Sequence, residues 1–489
     1  MHPDVRSGNR QPSIANRDLT TLFFRTTAAP LVHGNAVRVL LDAGANYPAW
    51  LDAIESARGT IHLEMYIVHD DRIGRQFRDV LAAKAEAGVT VRVLYDWFGA
   101  LRPSSFRFWK PLEKAGGQVR QVNPLRFDTL VSLGSRDHRK LLTIDGRVAF
   151  ISGLCIGDDW CGDPARGVDP WRDTGIELRG PAVSEAEYAF AASWATWGEG
   201  LPPGTVPGRG DIPQEGNVDV RVIATSPDRT SLYRLELAAL AAAQERIWLT
   251  DAYFMGTTVY LEALSAAAHQ GVDVRLLLPH NSDVPWVGNV SRTLYRRLLE
   301  AGVRIFEWNG PMMHAKTAVA DGRFVRVGST NLNVSSWMGN WELDVVVENQ
   351  EVAAEMEEVY LRDLDGATEI VVNERHKVRL RRARPRVPAQ MHRVPGRRFS
   401  RAVGGSANRV IKDVALAGAA FGSAVRGYRM LGPHEAASLA MFALLALALC
   451  AVAIVWPRVL TYPIAVVAGV AAITLLARSV KAWRKRTDE

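Results

Sequence analysis

Cysteine is scarce in this 489-residue chain: Cys155, Cys161 and Cys450 form neither a CxxC pair nor a Cys/His metal spacing. An odd count in so long a chain argues against a disulfide framework and fits a reducing compartment for the body. The first eighteen residues, MHPDVRSGNRQPSIANRD, lack the apolar run of a signal peptide. Acidic residues are missing from Arg375 to Lys412, which holds thirteen Lys or Arg. Against an overall charge of +7, the rest of the chain therefore carries −6 (7 − 13). Basicity confined to one segment argues against a nucleic-acid-binding surface on the body.

What is present suits a globular protein of more than one domain, with 48% apolar and 23% charged residues. Residues 1–34 read as a polar N-terminal arm. From Val37 onward strands and helices alternate: IHLEMYIV (Ile61 to Val68) and VTVRVLYD (Val89 to Asp96) read as buried strands flanking a helix over Arg72 to Ala87. The pattern returns with IWLTDAYF (Ile247 to Phe254) and VDVRLLLP (Val272 to Pro279). A whole lobe is thus duplicated, predicting an α/β fold of two tandem lobes with a mixed, largely parallel sheet flanked by helices. The Pro- and Gly-rich stretch Gly198 to Asn217 separates the copies. The expected boundaries are 35–200 for the first lobe, 201–216 for a linker and 217–372 for the second lobe.

The duplication is sharpest in two segments. DHRKLLTIDGRVAFISGLC (Asp137 to Cys155) and MHAKTAVADGRFVRVGSTN (Met313 to Asn331) both run His-x-Lys, then Asp-Gly-Arg at one spacing. In a strand, alternation places His138 with Lys140, and His314 with Lys316, on one face. An imidazole beside a fixed cation suits an anionic phosphate, one group reacting while the other stabilises charge. Asp145-Gly146 and Asp321-Gly322 fall between apolar runs, a hairpin signal that assigns the aspartates to turns. If the lobes pair symmetrically, both histidines reach one pocket, one as nucleophile on phosphorus and one as general acid. The lysines supply the positive charge, so neither a metal nor another cofactor is expected.

These motifs resemble the paired HxKxxxxD signatures of the phospholipase D superfamily. LEMYI, YDWFG, WRDTGIELRGPAV, AYF, GSTNLN and NWELDVVV extend the resemblance to bacterial cardiolipin synthases over roughly residues 35 to 370. The resemblance implies His138, Lys140, Asp145, His314, Lys316 and Asp321 as the catalytic set, with His138 as nucleophile and His314 as general acid and base. It implies Ser152, Ser329 and Asn331 at phosphate oxygens, and Asp173 and Glu342, downstream of each His, as carboxylates that orient the imidazoles. The implied reaction is phosphatidyl transfer through a phosphohistidine, yielding cardiolipin and glycerol from two phosphatidylglycerols. The alternative on the same fold is a phosphodiesterase that hydrolyses phospholipid or nucleic acid. One departure stands out: the first motif ends Ser152-Gly153-Leu154-Cys155, where the family's pattern is Gly-Gly or Gly-Ser and then Asn.

The C-terminal part points to a membrane. Ala436 to Trp456 is 21 residues without a charge and Val459 to Ala477 is another 19. Each is long enough to span a hydrocarbon core of about 30 Å. The expectation is a basic juxtamembrane segment over 373–431, a transmembrane hairpin within 436–477 and a basic tail over 478–489. Positive charge at both open ends places the lobes on the cytoplasmic side of the inner membrane. The expected partners are that membrane and anionic phospholipids such as phosphatidylglycerol, with no nucleic acid; the oligomeric state stays open.

Overall fold

The computed structural model describes residues 14–100, 107–123, 135–227, 229–372 and 378–381. The expected membrane hairpin and the basic tail lie outside them, as does the basic segment apart from 378–381. Among the described residues no helix is long and apolar enough to cross a membrane. All described residues except Asn123 and Ser135 belong to one compact unit.

Its centre is a sheet of 16 strands built from two copies of one seven-strand pattern. The first copy comprises β1 (Val32–Leu41), β2 (Thr60–Met65), β3 (Thr90–Asp96), β4 (Gln118–Val122), β5 (Lys140–Ile144), β6 (Val148–Ser152) and β7 (Thr174–Arg179). The second comprises β8 (Val218–Thr225), β9 (Arg246–Thr250), β10 (Asp273–Pro279), β11 (Arg304–Trp308), β12 (Thr317–Ala320), β13 (Phe324–Gly328) and β14 (Glu342–Glu348). The spatial orders are β1-β7-β6-β5-β2-β3-β4 and β8-β14-β13-β12-β9-β10-β11, the same permutation. β15 (Ala367–Val372) and β16 (Val378–Arg381) extend the second copy, and β8 pairs with β1 to join the lobes.

The sheet is mixed but mostly antiparallel, which corrects the expectation of a largely parallel one. Parallel pairing is confined to β2/β3, β3/β4, β9/β10 and β10/β11. The Asp-Gly turns explain six of the antiparallel pairings, because each folds its motif into a hairpin, β5/β6 or β12/β13, that then pairs antiparallel with its neighbours. Asp145 and Gly146 take φ of 52° and 63°, and Asp321 and Gly322 take 48° and 61°. Two successive left-handed residues are what a tight hairpin turn needs. All five residues of β5 and of β6 are buried, so KLLTI and VAFIS read as unbroken runs covered on both faces.

Part of the N-terminal arm is helical and packs on the body. Ile14–Thr27 is a helix whose Phe23 is buried, its ring 5.5 Å from Phe324. β1 begins at Val32, and Asn35 Nδ2 donates to Val32 O and Val218 O where the two lobes join. Each lobe has its own apolar core, around Trp50 and Phe77 in the first and Leu264 and Trp337 in the second. A third core is shared, with Leu141, Ile151 and Ile176 of the first lobe and Val325, Val327 and Leu343 of the second.

Candidate active site

The two His-x-Lys segments enter their strands through contacts with the opposite lobe. Asp137 bridges Trp341, and Met313 bridges Arg172, each as an isolated parallel pair. His138 N donates to Trp341 O at 2.9 Å, and His314 N donates to Arg172 O at 2.8 Å. Each histidine therefore lies at the start of the other lobe's last pattern strand, where Glu342 opens β14 and Asp173 immediately precedes β7. His138 Nδ1 is 2.9 Å from Glu342 Oε2, and His314 Nδ1 is 2.6 Å from Asp173 Oδ2. The carboxylate partners are crossed: each imidazole is held by the lobe it does not belong to.

Lys140 Nζ donates to His138 O, and Lys316 Nζ donates to His314 O. Lys316 Nζ also lies 3.0 Å from His314 Nδ1, but the Nδ1 proton is directed to Asp173, so that approach is electrostatic. Aromatic rings complete the walls. The Tyr66 ring packs edge-on to His138 at 4.9 Å, and Tyr253 to His314 at 5.9 Å. Trp160 and Trp171 add two more rings within 5.6 Å and 5.3 Å of His314. Sequence reasoning did not single these rings out, although Tyr66, Trp171 and Tyr253 sit inside the LEMYI, WRDTG and AYF stretches.

Not every expected residue belongs here. Asp145 accepts from the backbone N–H groups of Arg58, Gly59 and Thr60, and Asp321 from those of Gln244, Glu245 and Arg246. Both carboxylates clamp a hairpin turn to the strand beside it, as the Asp-Gly signal predicts, and neither hydrogen-bonds a histidine or lysine of the two motifs among the described residues. Ser329 Oγ donates to Glu342 Oε2 at 2.6 Å and accepts from Leu343 N, so its proton is directed to the carboxylate that holds His138. Ser152 Oγ is likewise engaged with its own chain, at Leu154 N and O. Asn331 differs from both serines: its side-chain oxygen is buried with no hydrogen-bond partner among the described residues.

Comparison with known proteins decides the family. The sequence profile described as "Cardiolipin synthase, PLD-like domain" matches residues 50–157 and 237–364. Cardiolipin synthase 2 of Bacillus anthracis is 34% identical over 351 residues, covering 71% of this chain and 68% of that protein. The chain belongs to the cardiolipin synthase family. Cardiolipin synthase A of Pseudomonas fluorescens is 32% identical over 355 residues, covering 72% of this chain and 73% of its own. The phosphatidylserine synthase of Haemophilus influenzae Rd KW20 shares the fold, with a TM-score of 0.57 at 14% identity over 73% of this chain and 91% of its own.

Within this family frame the departure in the first motif has a steric explanation. Ser152 faces Gly175 across the ladder, whereas the equivalent pair in the second lobe is Gly328 facing Asp344. A Cβ on Gly328 would meet Asp344 Oδ1 at 1.7 Å, so side-chain bulk has moved from one strand of the pair to the other. Gly153 is required as well, because its Cβ would fall 2.2 Å from Asp173 Oδ1. Cys155 stands where the family's pattern has Asn; it is buried in the first lobe's own core, and burial pushes its thiol up.

Burial also sets the charge states of the cardiolipin synthase-like site. Desolvation pulls His138 down to about 4, with Lys140 adding to the drop and Glu342 opposing it. Desolvation and then Lys316 pull His314 to about 3 against Asp173. Burial takes Lys316 to about 8 against Asp173, and Lys140 contributes to the fall. Burial alone would raise Glu342 and Asp173, but the adjacent histidine and lysine hold both carboxyls below the usual range. At neutral pH the resting site thus holds neutral imidazoles between ionised carboxylates, with Lys316 charged and burial drawing Lys140 down as well.

Proposed function

We propose that the protein transfers a phosphatidyl group between two phospholipids through a phosphohistidine, making cardiolipin from two molecules of phosphatidylglycerol and releasing glycerol. The crossed imidazole–carboxylate pairs, each beside a buried lysine, carry this reading. Each carboxylate accepts a hydrogen bond from Nδ1–H, which keeps the proton on that nitrogen and leaves Nε2 as the reacting atom.

His138 is the nucleophile. Its Nε2 lone pair forms a bond to phosphorus while the bond from phosphorus to the glycerol oxygen breaks. His314, as imidazolium, gives its proton to that oxygen, and glycerol leaves. A headgroup hydroxyl of the second phosphatidylglycerol then gives its proton to His314 and attacks phosphorus, and the bond to His138 Nε2 breaks. His314 has the closer carboxylate, at 2.6 Å against 2.9 Å, which suits the member that must carry a positive charge. The phosphodiester's negative charge offsets Lys140 and Lys316, the two cations that disfavour imidazolium at His314. Lys140, Lys316 and the Asn331 carboxamide hold the non-bridging oxygens.

The charge-free runs at 436–456 and 459–477 and their basic flanks support attachment to the inner membrane with the lobes on the cytoplasmic side. Two-dimensional confinement then supplies both lipids to one site. The acidic balance outside the 375–412 segment speaks against nucleic acid as substrate.

The test is incubation of the purified full chain with labelled phosphatidylglycerol, alone and with phosphatidylethanolamine, followed by thin-layer separation. Cardiolipin with stoichiometric glycerol is expected. Phosphatidic acid as the sole product would sink the transfer reading in favour of hydrolysis.

A further inference from the structure

Arg172 precedes the carboxylate that holds His314, and every polar edge of it is engaged. Its backbone forms the bridge to the second lobe, donating to Met312 O at 2.9 Å and accepting from His314 N at 2.8 Å. Its guanidinium is buried and forks onto Asp363, with Nε to Oδ1 at 3.0 Å and the NH2 group to Oδ2 at 2.9 Å. Asp363 lies in the last turn of the helix Gln350–Asp365 of the second lobe. The remaining guanidinium nitrogen reaches Asp42 Oδ1 at 3.2 Å, Thr174 Oγ1 at 3.0 Å and the Asp173 carbonyl. Asp42 returns the contact: its Oδ1 accepts from Asp173 N at 2.8 Å, and its own N–H donates to Asp173 O at 3.0 Å.

We propose that Arg172 is a positioning residue for His314, its fork onto Asp363 fixing the Asp173 peptide of the first lobe against the second lobe's reacting ring. This rests on the two-histidine reading above and adds to it what holds one of the crossed pairs together.

The reason lies in how few contacts span the junction. Met313 and Arg172 pair as a single isolated bridge, with no ladder on either side to keep the register. A short carboxylate such as Asp173 reaches His314 only if its backbone stays at the right depth. A planar guanidinium that meets a carboxylate edge-on is a more directional tie than a point charge, so the fork specifies orientation as well as attraction. The other crossed pair is braced differently. Trp341 stands in the position equivalent to Arg172, and Arg139 serves instead, donating to Glu342 O, Ala189 O, Ser193 Oγ and Thr225 O. The pair at His314 thus depends on a forked ion pair between lobes, whereas the ion pair of Arg139, to Glu64 Oε1 at 3.7 Å, stays within the first lobe and its tie to Glu342 is a hydrogen bond to the carbonyl.

The experiment is kinetics and histidine-selective 15N NMR on the full chain in mixed micelles, for Arg172→Lys, Asp363→Asn and the double variant. Lysine keeps the charge and loses the fork, and thermal denaturation of each variant reports whether it folds. Each single change should lower kcat roughly 10-fold, the lower edge of what partners that orient metal-ligating side chains are worth, with KM for phosphatidylglycerol unchanged. The double variant should fall no more than about 2-fold below either single, because both remove one fork. The ring signals of His314 should shift while those of His138 stay. An unchanged kcat, full multiplication of the two losses, or equal shifts of both rings would overturn the assignment. Counting cardiolipin and phosphatidic acid together keeps this result separate from the transfer reading: a protein that only hydrolyses still reports whether Arg172 acts through His314.

Discussion

Glu342→Gln and Asp173→Asn remove the same charge from the two crossed pairs, yet the structure predicts unequal losses. Glu342 Oε2 receives His138 Nδ1 and Ser329 Oγ, while Oε1 receives Asn340 Nδ2 at 3.1 Å. The Asn340 side-chain oxygen is buried and has no partner among the described residues. A half-turn of that carboxamide lets it accept from the new side-chain amide at position 342, which then keeps its own oxygen on His138. Only the charge assistance is lost, about half of a bond of roughly 1.5–3 kcal/mol. That corresponds to about a 10-fold fall in kcat. Asp173 has no such relief. Its Oδ2 faces His314 Nδ1–H, and its Oδ1 accepts at 2.8 Å from Thr174 N, a backbone donor that cannot turn round. The new amide at position 173 must meet one of two donors, and the ring can yield only by taking the tautomer that places its proton on Nε2, the reacting atom. An isosteric loss of this kind in a His–carboxylate pair costs roughly 10⁴-fold. Turnover of labelled phosphatidylglycerol in mixed micelles gives both numbers, and 15N shifts identify the ring affected in each variant. Equal losses, or Glu342→Gln disturbing His314 in place of His138, would refute the crossed pairing.

Burial puts Lys316 at about 8, and the charge that holds phosphate is present below that value and lost above it. The kcat/KM profile should therefore fall as pH rises through about 8, and Lys316→Arg should carry the limb to higher pH; a limb that stays put would reject the role. Asp145→Asn and Asp321→Asn should each cost about 1 kcal/mol of stability by weakening a three-amide clamp while kcat per folded molecule holds, as thermal denaturation and active-site titration would show. A chain ending at Val372 should fail to sediment with phosphatidylglycerol vesicles yet turn over in mixed micelles; undiminished sedimentation would remove the hairpin and basic segment as the anchor.

Local features of the fold were legible wherever one short stretch decides them. IHLEMYIV and VTVRVLYD became β2 and β3, IWLTDAYF and VDVRLLLP became β9 and β10, and Asp-Gly produced the left-handed turns. Pairing direction was not legible, because a buried strand reads as the same apolar run whether its neighbour is parallel or antiparallel. The crossing of Glu342 to His138 and Asp173 to His314 was hidden for a related reason. Spacing along a chain says how far a carboxylate lies from a histidine, but the bridges Asp137 to Trp341 and Met313 to Arg172 decide which lobe supplies it. The helix Ile14–Thr27 was hidden by polar composition, since its tie to the body rests on a few residues such as Phe23. The tie from Ser329 to Glu342 was hidden because a hydroxyl in a phosphate-site motif gives no sign along the chain of which carboxylate it faces.

Passage of phosphorus through a histidine is tested most directly by the stereochemical course at phosphorus. A phosphatidylglycerol analogue made chiral at phosphorus with sulfur in place of one non-bridging oxygen can be converted by the full chain and its product configuration read by 31P NMR. Two in-line displacements, first by His138 and then by the incoming hydroxyl, predict net retention. Net inversion would mean a single direct displacement and would contradict the phosphohistidine account.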